Sequence, residues 1–393
     1  MNTEMEMGKT EFNTKKVATV ATAHGVHDTY TAFLPALLPV LIEKFTLTNT
    51  AAGFLSVFLQ APSLLQPLFG HLADRKNLRI ITILAPAITG IAMSLLVVAR
   101  GYGFLIVLLL LAGISSSALH AVSPGIGSYY SGKQLGKGMS FWMVGGELGR
   151  SLGPLLIVTS LEYLKLGRIP WLMLGGIITS VFLYRNLRFV STITQKEQDQ
   201  ISWKSALSNM RHVMIPMTIL LFARSLMTAS LTIYLPTYLT SQGTSLWVSG
   251  ASLTILQISG VIGTIFAGNL SDRYGRRVML LISYITSPIL IFLFVNTSGF
   301  LQIALLIFLG ITAIAIGPVL LALVHENAIE NRSFANGIFM AVSFLLNALA
   351  ILIVGIVSDL VDLRFTFLIA AGLVPLGIPL IFLLPKSKRL LND

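Results

Sequence analysis

The chain has no cysteine. That excludes a disulfide framework and any thiolate metal site, and it leaves the redox compartment open. Charge is scarce too. Only 11% of the 393 residues are Asp, Glu, Lys or Arg, against roughly 25% in soluble proteins. With 54% hydrophobic residues and a mean hydropathy of +0.82, the composition fits a bilayer as solvent. A nucleotide-binding loop is also missing. "GSYYSGKQ" (127–134) matches the glycine-lysine spacing, but Gln134 stands where magnesium needs a hydroxyl, and the context is a membrane helix. No catalytic constellation appears, so an enzyme is not expected, and nothing calls for a cofactor.

What is present is apolar sequence in long runs. Twelve are long enough to span a membrane, at roughly 20 residues each: 17–42, 50–70, 80–99, 103–129, 138–161, 169–184, 213–240, 246–270, 278–296, 299–326, 334–358 and 365–385. A lipid-exposed backbone must satisfy its own hydrogen bonds, so helices are expected. The first run is too long for a signal-peptide core and has eleven more spans behind it. The net charge of +11 is a matter of position. With the N-terminus inside, Lys15, Lys16, Arg75, Lys76, Arg79, Lys133, Lys137, Arg273, Arg276 and Arg277 all fall on the cytoplasmic side. Only Lys44, Arg100, Lys165, Arg168 and Arg364 fall outside. This bias predicts a multi-pass inner (cytoplasmic) membrane protein with both termini cytoplasmic. The basicity then needs no nucleic acid to explain it, and the lipid bilayer is the expected partner.

The charged decapeptide "GHLADRKNLR" (70–79) returns as "GNLSDRYGRR" (268–277), each time directly after an apolar run. Pro39 and Gly53 correspond to Pro236 and Gly250, and Gly70 and Asp74 to Gly268 and Asp272. The chain is therefore two related halves, 1–189 and 213–393, joined by a polar cytoplasmic linker, 190–212. Duplicated halves with a site at their interface are a transporter pattern. The motif G-x-L-x-D-R-x-x-x-R, once per half in a twelve-span chain, resembles that of the major facilitator superfamily. "AHGVHDTYTAFLPALLPVL", "SLLQPLFGHLADR", "ALHAVSPG" and "VGGELGRSLGPLL" resemble more closely its fosmidomycin-resistance branch of drug exporters. The resemblance implies an all-α membrane protein, twelve transmembrane helices in two pseudo-symmetric six-helix bundles, rocking around a central cavity lined by spans 1, 4, 7 and 10.

Within that frame the repeated motif is a gate. Gly70 and Gly268 are expected to let helices approach closely. Asp74 and Asp272 are expected to pair with Arg75, Arg79 or Arg273 and to face a helix N-terminus; the alternative is a topology signal in a solvated loop. Gly149, Gly153 and Pro154 resemble the antiporter motif of the exporters, with small residues for tight packing of span 5 and proline to bend it.

Ionisable groups inside a span cost roughly 2.5–3.5 kcal/mol each on insertion scales. Span 1 carries His24, His27 and Asp28, span 4 His120, span 5 Glu147 and Arg150, span 7 Arg224, and span 10 His325 and Glu326 near its end. Asp28 lies about 16 Å into its span, and Arg224 is equally deep 196 residues later. The two are expected to face each other, Asp28 as proton acceptor and Arg224 as charge partner or substrate anchor, or else as a static pair. His24, His27 and Asp28 share a helical face. With His120 they form either a titratable proton relay or a metal site, although no further carboxylate completes a hard-metal shell. Glu147 and Arg150, three apart, either neutralise each other or bind substrate. Glu326 either takes up protons or marks a helix end. Tyr30 and Tyr234 are candidate cavity walls.

Together these readings predict a monomeric secondary transporter that exports small anionic or zwitterionic amphiphiles in exchange for protons, with sodium the other candidate ion. Asp28, Glu147 and Glu326 are the candidate proton carriers. His24, His27, His120, Arg150, Arg224, Tyr30 and Tyr234 are the candidate substrate contacts. A metal or metal-chelate transporter and an organic-anion importer are the alternatives.

Overall fold

A computed structural model describes residues 11–187, 203–327 and 332–385. The first spanning segment is two helices, α1 (Thr14–Thr31) and α2 (Phe33–Phe45), meeting at Ala32. The first half continues with α3 (Asn49–Ala73), α4 (Arg79–Val98), α5 (Tyr102–Ser131), α6 (Leu135–Tyr163) and α7 (Leu166–Leu187). The second half comprises α8 (Met214–Ser241), α9 (Leu246–Tyr274), α10 (Arg276–Val295), α11 (Gly299–Val324), α12 (Ile338–Val361) and α13 (Leu363–Leu383). The chain is thus an all-α, multi-spanning membrane protein. Helix already begins at Trp203, ten residues before the expected start of the second half at 213. The rest of the linker, 190–202, lies outside the described residues.

Local chemistry sets the helix starts. The Asn13 side chain accepts from Lys16 N (3.0 Å) and caps α1. Ser245 caps α9 through Val248 N, and Asp362 caps α13 through Phe365 N. The cap of α3 comes from far along the chain: the Asp359 carboxylate accepts from Asn49 N (2.7 Å), Thr50 N (2.9 Å) and Thr50 Oγ1 (2.6 Å). A carboxylate at a helix N-terminus also meets the positive end of the dipole.

The helices form two compact units: residues 1–46 with 55–197, and residues 47–54 with 198–393. The short stretch 47–54 goes with the second unit because Asp359 and Tyr234 hold it. Tyr234 is fully buried and donates to Asn49 O (3.2 Å) and Ile351 O (3.0 Å). Large apolar side chains such as Ile178, Phe292, Phe308 and Phe300 are exposed. On spanning helices that surface is the one hydrocarbon covers.

In the first unit α1 packs along α6, and the seam is made of missing side chains. A Cβ on Gly145 would overlap the carbonyl oxygen of Ala21. One on Gly149 would overlap that of Gly25, and one on Gly153 that of Thr29. Both rows advance by four residues, one helical turn, so the two backbones run in contact. Gly70 and Gly268 behave differently from the sequence expectation: among the described residues a Cβ at either would meet nothing within 4 Å. The motif's glycines therefore do not mark a close approach in this conformation.

Substituting Gly149 by Ala should lower the stability of the purified protein by about 1–3 kcal/mol, the usual cost of overpacking. Gly127→Ala, where a Cβ meets nothing, should leave it near wild type. Thermal unfolding in detergent compares the two.

Candidate functional site

The α1–α6 seam positions the site. Because Gly146 has no side chain, the His24 imidazole fits against it. The ring stacks on Trp142 (centroids 3.9 Å apart, planes 18° apart), and its Nδ1 lies 2.8 Å from Trp142 O. Trp142 is itself fixed by donating Nε1–H to Ser123 Oγ of α5 (3.0 Å). From α5 comes His120, whose Nδ1 lies 2.8 Å from Ser116 O. The Nε2 atoms of His24 and His120 then face each other at 3.1 Å.

Asp28, only 2% exposed, sits beneath this pair. Its Oδ2 is 3.0 Å from Arg150 Nη2 and 3.4 Å from His24 Nε2. Its Oδ1 is 2.9 Å from His27 Nδ1 and 3.6 Å from His120 Nε2. Arg150 continues to Glu147 (3.2 Å), so one guanidinium joins two carboxylates. Burying a carboxylate in a span is tolerable only with such partners. Arg150 and Glu147 are more open, with side chains 47% and 41% exposed.

The sequence expectation paired Asp28 with Arg224. The structure gives each a different partner within its own unit. Asp28 binds Arg150, while Arg224 donates through Nη2 to Ala313 O (3.1 Å) and Ile314 O (3.3 Å). Those carbonyls lie at the end of a π-helical turn, Gly310–Ile314, where the helix breaks before Gly317 and Pro318 has no N–H to offer Ile314 O. A second π turn, Ser230–Tyr234, interrupts α8 just beyond Arg224. π-Bulges recur at functional sites. Among the described residues Arg224 has no carboxylate partner, and its buried Nε has no acceptor.

Tyr30 and Tyr234 lie in packing seams. The Tyr30 hydroxyl donates to Leu172 O and accepts from Gly176 N (3.0 Å), and Tyr234 bridges backbone carbonyls as above. Of the gating residues, Asp272 pairs with Arg276 (2.6 Å), not with the expected Arg75, Arg79 or Arg273. Arg276 also holds Glu326 (2.9 Å), at the end of the helix Gly317–Asn327. This places the proton-carrier candidate Glu326 in the charged motif of its own unit. Arg273 lies over the Tyr274 ring. The side chains of Asp74 and His325 lie outside the described residues. Sequence reasoning missed the Arg150–Asp28 bond and the role of Trp142. The four-residue spacing of Gly145, Gly149 and Gly153 against Ala21, Gly25 and Thr29 was the signal that would have placed Arg150 beside Asp28.

Asp28→Asn leaves the guanidinium without its buried partner. It should cost about 3 kcal/mol, the low end for breaking a buried pair, because Arg150 is half exposed. Glu147→Gln breaks an open pair and should cost under about 1 kcal/mol. Denaturation of both variants in micelles measures the difference.

The sequence pattern of the Major Facilitator Superfamily matches residues 21–328 and again 250–392. The chain is 25% identical over 386 residues to the fosmidomycin resistance protein of Escherichia coli (strain K12), covering 94% of this chain and 92% of that one. It is 24% identical over 384 residues to an uncharacterised transporter of the same type, YfnC, from Bacillus subtilis (strain 168), covering 94% and 93%. The crystal structure of the nucleoside transporter NupG superposes with a TM-score of 0.73 at 16% identity, over 94% of this chain and 98% of that one, a likeness of fold. With the family pattern matching most of the chain and the charged motif recurring once per half, the chain belongs to the Major Facilitator Superfamily, as a secondary transporter working by alternating access.

Proposed function

We propose that the protein exports small anionic or zwitterionic amphiphilic molecules in exchange for protons, as a monomer in the inner membrane with both termini cytoplasmic. One observation carries the substrate class. Arg224 is a guanidinium deep in a span, with no carboxylate partner among the described residues and with spare donors. A permanent cation held by carbonyls alone retains most of its charge for an incoming anion. Likeness along nearly the whole chain to a protein named for drug resistance supports export as the direction.

Glu147 is the group best placed to carry the proton. A carrier must exchange protons with the transport path and release its counterion. Asp28 is almost fully buried and is held by both Arg150 and His27. Glu147 is half exposed and has the single partner Arg150. When Glu147 takes a proton, Arg150 loses that attraction and keeps Asp28 as its carboxylate partner. Arg276, bridging Asp272 and Glu326, acts as a latch that opens and closes with the cycle.

Arg224→Ala should weaken binding of an anionic substrate by about 2–5 kcal/mol. A thermal-stabilisation screen of purified protein with phosphonates, carboxylates and cationic drugs tests this. Stabilisation by anions that survives in Arg224→Ala overturns the substrate assignment. In liposomes, Glu147→Gln should abolish substrate accumulation driven by ΔpH alone while exchange without a gradient continues. Accumulation at the wild-type rate removes Glu147 from the coupling step.

A further inference from the structure

The geometry points to a divalent transition-metal site built from His24 Nε2, His120 Nε2 and one carboxylate oxygen of Asp28. The argument starts from tautomers. A backbone carbonyl can only accept, so the Nδ1 of His24, 2.8 Å from Trp142 O, carries the ring proton. The same holds for His120, whose Nδ1 is 2.8 Å from Ser116 O. Both neutral rings therefore present bare Nε2 lone pairs, and these face each other at 3.1 Å. Asp28 adds acceptor oxygens at 3.4 Å and 3.6 Å from them. With both rings neutral, three acceptors converge with no donor among them, an arrangement that repels itself unless a metal ion or a shared proton lies between them.

The separations fit a metal. Ligands at about 2.0–2.1 Å from a tetrahedral zinc ion lie about 3.3 Å from one another; here the two nitrogens are 3.1 Å apart and His24 Nε2 is 3.4 Å from Oδ2, while the 3.6 Å contact of His120 Nε2 is to the other oxygen, Oδ1. The three ligand atoms all lie within 4.8 Å of one another. The surroundings are those of a supported site. Each histidine donates its other ring proton to a carbonyl, which fixes ring orientation and raises ligand basicity. The carboxylate is oriented by His27 on Oδ1 and Arg150 on Oδ2. The nearby charges are Asp28 and Glu147 against Arg150, with neutral imidazoles. They sum to one negative charge, which favours a cation. Two imidazoles and one carboxylate suit zinc, cobalt or nickel; magnesium and calcium prefer all-oxygen shells. Three protein ligands leave the fourth position for water or for a donor atom of a small molecule.

The chain's lack of cysteine makes the test clean, since no thiolate competes for the metal. Full-length protein, with any affinity tag removed and stripped by chelator, is titrated with zinc chloride by calorimetry. One equivalent should bind at micromolar concentration or tighter, with no matching uptake of magnesium. His24→Ala and His120→Ala should each weaken binding more than about 100-fold, and His27→Ala, whose ring hydrogen-bonds the carboxylate and packs edge-on against His120, about 10–100-fold. Exposed His71→Ala, and also Arg224→Ala, should bind zinc as wild type does, so the metal site and the export reading stand or fall separately. Cobalt substitution of the wild type should give the intense visible absorption of a four-coordinate centre, a readout that does not require the variants to fold. Absence of zinc binding by wild-type protein, binding undiminished in both His24→Ala and His120→Ala, or only the pale spectrum of six-coordinate cobalt overturns the site. The His24–His120 contact would then hold a shared proton only.

Discussion

The structure depends on the cost of leaving a charge unpaired inside a membrane span. Asp28 is the sharpest case. Its carboxylate is almost wholly buried, and removing either Arg150 or His27 would leave it short of partners. For Arg150 to reach it, α6 must lie close along α1. The side-chain-free seam of Gly145, Gly149 and Gly153 permits that, with carbonyls of Ala21, Gly25 and Thr29 where Cβ atoms would otherwise sit. Gly146 adds the slot for His24. The packing motif and the charged cluster are therefore one construction.

The second unit meets the same cost differently. Arg224 is not neutralised by an acid. It is solvated by backbone, through two carbonyls at the end of a π turn, where the helix breaks and Pro318 offers no N–H. A carbonyl dipole satisfies a donor without cancelling its charge, so the guanidinium stays electrostatically available. A carboxylate partner would satisfy it and silence it. This difference separates a group held for structure from one held ready for a ligand.

Much of this was legible in the sequence, and the limits have physical causes. Spans, halves and the charged repeat follow from composition and local pattern, because hydropathy is a property of contiguous residues. The shared face of His24 and Asp28 follows from a spacing of four on one helix. Arg150 beside Asp28 does not: it is 122 residues away, and its position depends on which helices are neighbours. The expectation of Arg224 rested on equal depth in corresponding spans, and depth says nothing of direction around the helix axis. Arg276 displaced Arg273 as the partner of Asp272 for a similar reason. It stands four residues on, where the carboxylate is one turn away, and there it also reaches Glu326.

Ten of the described helices are long and apolar enough to cross a membrane by composition alone. The two long segments that fall short are α1 with α2, and α6. These carry His24, His27, Asp28, Glu147 and Arg150. A helix that must insert gains from every apolar residue and loses with each polar one, so a weak span is a place where something other than insertion has set the sequence. The shortfall is repaired by a partner with the complementary defect. The acid and imidazoles of α1 meet the arginine of α6, and the glycines of α6 admit the imidazole of His24. Neither helix suits hydrocarbon well alone. Packed together they hide their polar groups from lipid while Glu147 and one edge of Arg150 stay open, and a transport site in a membrane needs both.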